Sequence, residues 1–407
     1  MENKFAKRTH LVESSETREI LKVTERPEII SFAGGLPAPE LFPVEHLQNA
    51  CAAVLKEAGE SALQYSTTEG FLPLRRVIFQ RMSRIGINTN LKNVLVTSGS
   101  QQAIDLCGRL FIDGGDTIIC LSPTYLAAIN AFKTYNAKFV EVDMDDEGMI
   151  MEELEKKLIE NPNTKFIYTI PDFQNPTGRT LKLERRKKMV ELASQYNVLI
   201  VEDNPYGAIR FLGDEFPPVK HFDTEGRVIY ISTFSKILTP GLRLGWICAD
   251  EGFIEKYVAF KQAADLHTDS FAQRMTAKYL ELYDLEEHIH KIKSVYKERC
   301  TVMLSCLEEF FPKRLSYSKP EGGLFIWVEL PENVSAEHIF SEGLKNNVAC
   351  VPGTLFFPNR TSRNALRLNY SNMSKEKIIE GIKLLGEVLH RELQKETTFL
   401  DSKLTVN

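Results

Sequence analysis

Tryptophan is scarce, two residues in 407, and no apolar run is long enough to cross a bilayer. The longest apolar stretches, around positions 198–201 and 228–231, are strand-sized, so no membrane partner is expected. The opening residues, MENKFAKRTHLVESSETREI, lack the apolar core of a secretory signal. Basic charge is not in surplus: 50 Lys and Arg against 55 Asp and Glu leave a net charge of −5. Nothing in that balance would hold a nucleic-acid backbone, and no nucleic-acid partner is expected. Cysteine is sparse and unpatterned. The seven, at positions 51, 107, 120, 248, 300, 306 and 350, are odd in number and never spaced as CxxC. They read as reduced, buried, small hydrophobes of a cytoplasmic protein, not as a metal site or a disulfide framework. Repeats and low-complexity segments are also lacking. What remains, 43% hydrophobic and 26% charged residues, is ordinary for a globular chain, and the length suits a large domain with a smaller one.

The middle of the chain alternates short β-branched runs with longer amphipathic stretches. Strands are expected at 94–97, 117–121, 138–142, 166–171, 198–202, 228–233 and 244–249, with helical patterns such as 101–112 and 183–196 between most of them. Such alternation implies an α/β fold whose mostly parallel, seven-stranded sheet is covered on both faces. The last two candidates are joined without a full helix, so one strand is expected to run in reverse. Past Asp250 long helical patterns take over until Phe311-Pro312 breaks them. A smaller α+β pattern follows, with strands at 324–330, 348–351 and 366–370 and helices at 336–346 and 375–395. The expected division is a segment 1–43 belonging with the small domain, a large domain 44–310 and a small domain 311–407. The Gly- and Pro-rich stretch 34–39 crosses between them.

In a parallel sheet, ligands gather at the carboxyl ends of the strands. The first strand runs into Ser98-Gly99-Ser100-Gln101 and a helix, whose free N–H groups could hold an anion, though alone this is an ordinary helix cap. The strand ending at Glu202 is followed by Asp203-Asn204-Pro205-Tyr206. A carboxylate there is either a loop cap or the counter-ion of a buried cation. The next strand leads to Thr233, Ser235 and Lys236, with Arg243 close behind. Singly, Lys236 is an unremarkable surface charge. With hydroxyls and an Arg beside it, the set becomes a phosphate clamp and a candidate Schiff-base amine. Asn175, in Asn-Pro-Thr-Gly, is a good turn by itself, and only the convergence of all these groups on one sheet edge alters that reading.

The motifs SFAGGLPAPELFP (31–43), ALQYSTTEG (62–70), TSGSQQA (97–103), PDFQNPTG (171–178), VEDNPYG (201–207), STFSK (232–236), PGLRLGW (240–246), GGLFIW (322–327) and ALRLNYS (365–371) occur in this order. In them the chain resembles the fold-type I, class I/II aminotransferases dependent on pyridoxal 5′-phosphate, and among them the 2-aminoadipate (LysN-like) and kynurenine aminotransferases. The resemblance implies that Lys236 bonds the cofactor covalently and that Asp203 pairs with the ring nitrogen. Asn175 and Tyr206 would bond the ring's phenolic oxygen, and Tyr125 would stack on the ring. Ser100, Gln101, Thr233, Ser235 and Arg243 would hold the phosphate. Arg367 would grip the substrate α-carboxylate, with Gly35 leaving room beside the ring. Tyr65 would reach the neighbouring subunit's phosphate, which makes the active unit a homodimer. Arg18, in Thr17-Arg18-Glu19-Ile20-Leu21, would meet the distal carboxylate of an acidic substrate.

Thr233 stands where many relatives have Ser, and Asn204 replaces a frequent second Asp. The family pattern already starts by residue 17, so the DNA-binding arm of some relatives is not expected. The implied reaction is amino transfer between an amino acid and a 2-oxo acid, 2-oxoglutarate in particular. The alternatives are a C–S β-lyase of the same fold and a non-catalytic effector-binding protein.

Overall fold

The computed structural model describes residues 4–11, 26–359 and 364–404, with side chains described to residue 395. The strands, in chain order, are β1 (Ile30–Ser31), β2 (Val94–Thr97), β3 (Thr117–Ser122), β4 (Lys138–Asp145), β5 (Gly148–Met149), β6 (Thr164–Thr169), β7 (Leu199–Asp203), β8 (Val228–Thr233), β9 (Gly245–Cys248), β10 (Ser316–Tyr317), β11 (Phe325–Glu329), β12 (Val348–Ala349), β13 (Val351–Pro352) and β14 (Ala365–Asn369). The large sheet has the order β2-β9-β8-β7-β6-β3-β4-β5. From β8 through β4 it is parallel, and β9 runs antiparallel to both β8 and β2, the expected reversal. The sheet has eight strands where the sequence reading expects seven. The extra one, β5, is two residues long and folds back on β4, too short to leave a pattern.

Successive residues of each strand point to opposite faces. Ile118, Cys120, Phe166, Tyr168, Val201, Ile229 and Ile231 join the larger apolar core. Their neighbours Ile119, Leu121, Ile167, Ile200 and Val228 join a second core with Leu154, Leu158, Met189 and Leu192 of the helices Met151–Glu160 and Leu183–Gln195. The other face is covered by the helix Ser100–Phe111, through Ala103, Ile104, Leu106 and Cys107, and by Ile254 and Tyr257 of the helix Glu251–Asp265. A strand buried on both faces favours apolar side chains on each of them. That is why the inner strands carry unbroken apolar runs.

After the helices Ser270–Leu282 and Leu285–Phe310, a second sheet forms in the order β10-β11-β14-β13. The run expected as one strand, 348–351, is split at Cys350. Val348 and Ala349 pair in parallel with β1, while Val351 and Pro352 pair with β14. The segment around β1 is thereby tied to the far end of the chain, and it continues that tie through Phe32 O, which accepts from Asn369 N at 2.9 Å. This threading carries residues 33–35 across the mouth of the large sheet. No helix among the described residues is long and apolar enough to cross a membrane.

Candidate active site

The carboxyl ends of β7 and β8, the turn after β2 and the strand β14 bring most of the expected residues together. Asp203 closes β7 and is 2% exposed. Its Oδ2 accepts a hydrogen bond from Tyr168 Oη at 2.8 Å, and its Oδ1 has no partner. Burial pushes its carboxyl up to about 7, and the bond from Tyr168 works against that rise. A buried carboxyl with one unpartnered oxygen is costly, and a cationic N–H placed against it would remove the cost.

Lys236 follows β8 and donates from Nζ to Gly35 O at 2.8 Å. Burial of the amine, then Arg367 and Arg243, holds it down to about 8. It is thus an amine that loses its proton close to neutral pH, as a nucleophile toward a carbonyl requires. Arg367, in the middle of β14, is 7% exposed. It donates from Nη1 to Asn175 Oδ1 at 2.9 Å and from Nη2 to Ala33 O at 2.6 Å, while its Nε has no partner. Its guanidinium lies over the rings of Phe325 and Phe356, 4.4 and 4.9 Å from their centroids. The cation is aimed and stacked before any substrate arrives.

Tyr206 and Asn175 are both buried. Burial comes first in raising the Tyr206 hydroxyl, and a hydrogen bond with Asn175 opposes it. Tyr125 caps the helix Leu126–Lys133 and is half-buried. Its hydroxyl is pushed up to about 12 by burial and Asp203, against Arg367 and Arg243, so it belongs to the same cluster.

The residues expected to hold the phosphate gather where Gly99 starts the helix Ser100–Phe111. Gly99 has φ +76°, and a Cβ there would lie 2.6 Å from Arg243 Nη2. Only glycine allows both that backbone turn and that approach. Arg243 itself takes a left-handed backbone, φ 52°. Ser100 is half-buried at the helix start, and Ser235 is buried in the turn after β8. Two expected ligands are partly engaged elsewhere. Gln101 donates from Nε2 to Ala127 O at 3.1 Å. The Thr233 hydroxyl serves the turn, within 2.8 Å of Leu244 O and 2.9 Å of Ser235 Oγ. Gly35 faces the site through its carbonyl, and a Cβ there would meet the Phe325 ring at 3.3 Å. Tyr65 stays outside this cluster, 78% exposed, with its ring edge-on to His267. Arg18 lies outside the described residues. The reading of the sequence missed Tyr168, the Ala33 carbonyl and the Phe325–Phe356 stack. Only Tyr168 left a signal, since a tyrosine inside an apolar strand needs a partner for its hydroxyl.

The donor set fits pyridoxal 5′-phosphate: an amine poised near neutral pH, a buried carboxyl with a free oxygen, and a helix N-terminus beside an arginine. The arrangement suits a site built around that cofactor. Residues 39–385 match the family described as aminotransferase class I and II. The chain is 48% identical to aromatic-amino-acid aminotransferase 1 of Thermococcus litoralis, over 97% of this chain and 96% of that one. It is 40% identical to the 2-aminoadipate transaminase of Thermus thermophilus, over 95% of this chain and 96% of that one. The crystal structure of Pyrococcus horikoshii kynurenine aminotransferase superposes with a TM-score of 0.93 at 44% identity, covering 96% of this chain and 98% of the other. The chain belongs to the class I and II aminotransferases, and it is a pyridoxal-phosphate-dependent enzyme of that family.

Proposed function

We propose that the enzyme moves the amino group of an L-amino acid to 2-oxoglutarate and related 2-oxo acids, and that it accepts 2-aminoadipate as well as aromatic and branched donors. Relatives of both kinds, aromatic and 2-aminoadipate, support this breadth. The observation that carries the reading is the meeting of three ionisable groups from separate elements: the buried Asp203 carboxyl and Arg367 guanidinium, and the half-buried Lys236 amine.

Bound pyridoxal 5′-phosphate supplies an aldehyde that bonds an amine and a ring that accepts the electrons of a broken Cα–H bond. Lys236 would anchor the cofactor through its amine and, once freed by the incoming amine, would hold and move the proton at the substrate Cα. Asp203 would hold a proton on the ring nitrogen. Asn175 and Tyr206 would hold the phenolic oxygen, and Tyr125 would lie against the ring. Ser100, Gln101, Thr233, Ser235 and Arg243 would bind the phosphate. Arg367 takes the α-carboxylate in two parallel hydrogen bonds, exchanging its contact with Ala33 O for the substrate. Gly35 borders the substrate, and Arg18 meets the distal carboxylate of acidic substrates.

The pairing of β1 with β12 supports the division into a segment 1–43 that belongs with a small domain 311–407, around a large domain 44–310. Exposed Leu63, Tyr65 and Leu266 on linked loops support a homodimer in which Tyr65 reaches the partner's site. The reduced cysteines support a cytoplasmic location. The test is a panel of amino-acid donors with 2-oxoglutarate, run beside an assay for pyruvate released without a 2-oxo acid. Keto-acid-dependent transfer from acidic and aromatic donors is expected. Pyruvate release alone would replace amino transfer with C–S β-elimination.

A further inference from the structure

The Asp203 carboxylate has one donor on it, and that donor comes from a neighbouring strand. Tyr168 lies on β6, 1% exposed, with its ring packed edge-on against Phe132 at 5.6 Å between centroids. The pairing of β6 with β7 places Tyr168 opposite Val201, and Asp203 lies two residues further along the same face. From there the phenol reaches Asp203 Oδ2 at 2.8 Å. Oδ1 is left without a partner among the described residues. The other ionisable groups that feel Asp203 are Cys107 from the helix Ser100–Phe111, Tyr125 before the helix Leu126–Lys133 and Tyr206 after β7. All three are neutral hydroxyls or thiols, and burial keeps them so. No cation of the described chain offsets the carboxylate. Its anionic form therefore leans on a single hydrogen bond.

We propose that Tyr168 is a positioning residue of the amino-transfer site: by occupying Oδ2 of Asp203 it turns Oδ1 toward the cofactor ring nitrogen and favours the proton on that nitrogen. The proposal rests on the reading that Asp203 faces the ring nitrogen. The physical reason is local. A carboxylate with two free oxygens can rotate or take up a proton itself, and either change weakens its hold on an N–H. A phenol donating to one oxygen stabilises the anion and removes the rotation. Within the low-dielectric end of the sheet, that one bond is worth more than it would be in water.

The experiment loads the enzyme with ring-labelled pyridoxal 5′-phosphate and follows the ring nitrogen by NMR across pH, in the wild type, Tyr168→Phe, Asp203→Asn and the double variant. In Tyr168→Phe the ring nitrogen should lose its proton about one to two pH units lower than in the wild type. kcat should fall roughly ten- to a hundredfold, as expected for a charge-assisted bond, with KM within about threefold. In the Asp203→Asn background the same change should have no further effect. Site-specific 3-fluorotyrosine at position 168, a stronger donor of nearly the same size, should shift the titration the opposite way and keeps the test valid if Tyr168→Phe folds poorly. An unmoved titration in both Tyr168 variants, with Asp203→Asn moving it, overturns the Tyr168 role alone. An unmoved titration in Asp203→Asn overturns the Asp203 reading on which it rests.

Discussion

Asp203, Lys236, Arg367, Tyr125 and Tyr206 are each held away from their ordinary proton affinity by burial first and by neighbours second. For Lys236 the result is an amine near 8, depressed by burial and then by Arg367 and Arg243. The sign follows directly: below that value the amine is a cation and cannot attack a carbonyl, and above it the neutral amine can. Cofactor-free enzyme should therefore combine with added pyridoxal 5′-phosphate faster as pH rises through about 8, and level off above it. Stopped-flow absorbance checks the profile, and borohydride followed by peptide mapping should fix the label on Lys236. A flat profile between about pH 6.5 and 9.5 would remove the amine's protonation as the gate. A second residue-scale consequence concerns Asn204. Its Nδ2 donates to Asp172 Oδ2 at 2.9 Å, while Asp172 also binds the fully buried Arg186. Asn204→Asp would set two carboxylates face to face and cost about 1–3 kcal/mol. Adding Asp172→Asn restores a donor–acceptor pair and should recover at least half of the loss in urea unfolding. A coupling energy near zero in the double-mutant cycle, with Asp172→Asn alone as its fourth member to account for Arg186, would show that the two side chains do not act as a pair. Sequence alone showed Asn204 only as a departure from relatives; its partner lies 32 positions away and becomes visible only in the fold.

At the scale of elements, the legible parts were those with period and length. The inner strands β3, β6, β7 and β8 and the helices Ser100–Phe111 and Leu183–Gln195 fall within a few residues of their expected bounds, because burial on two faces or one demands a matching run. The two-residue strands β1, β5, β10, β12 and β13 were not seen separately. Such short pairings are set by distant partners, as β1 is by β12, and not by local propensity. The residues proposed for the phosphate were legible by their place after strands, whereas the approach of Arg367 to the rings of Phe325 and Phe356 was not, since three separate elements meet there. Gly99 is where element geometry and chemistry coincide. Its positive φ and its closeness to Arg243 make Gly99→Ala strained on two counts. The helix start and the arginine should be pushed apart, with pyridoxal 5′-phosphate affinity falling about tenfold or more while far-UV circular dichroism stays as in the wild type. Unchanged affinity in equilibrium titration would mean that the phosphate is not held jointly by this helix start and Arg243.

For the whole molecule the open question is how many chains make one site. Tyr65 is 78% exposed and Leu63 72%, although both belong to a stretch whose backbone is anchored by Ser270, whose Oγ reaches Ala62 O and Gln64 O. Leu266, 45% exposed, ends the helix Glu251–Asp265 with φ 64°, a costly conformation for a leucine. Large apolar side chains gathered and fixed on one surface suit an interface. The resemblance in sequence implies a dimer through Tyr65, whereas the exposed patch around it becomes visible only in the folded chain. If Tyr65 completes the partner's phosphate site, activity can be separated between subunits. Tyr65→Ala and Lys236→Ala homodimers should both be severely impaired. Mixed dimers, prepared by co-expression with two affinity tags, contain one site with an intact Lys236 faced by an intact Tyr65 from the other chain. That site should work at close to the wild-type rate per site, while the second, lacking both groups, is silent. If Tyr65 instead serves its own chain, the mixed dimer has one damaged residue in each site, and no activity returns beyond that of the Tyr65→Ala homodimer.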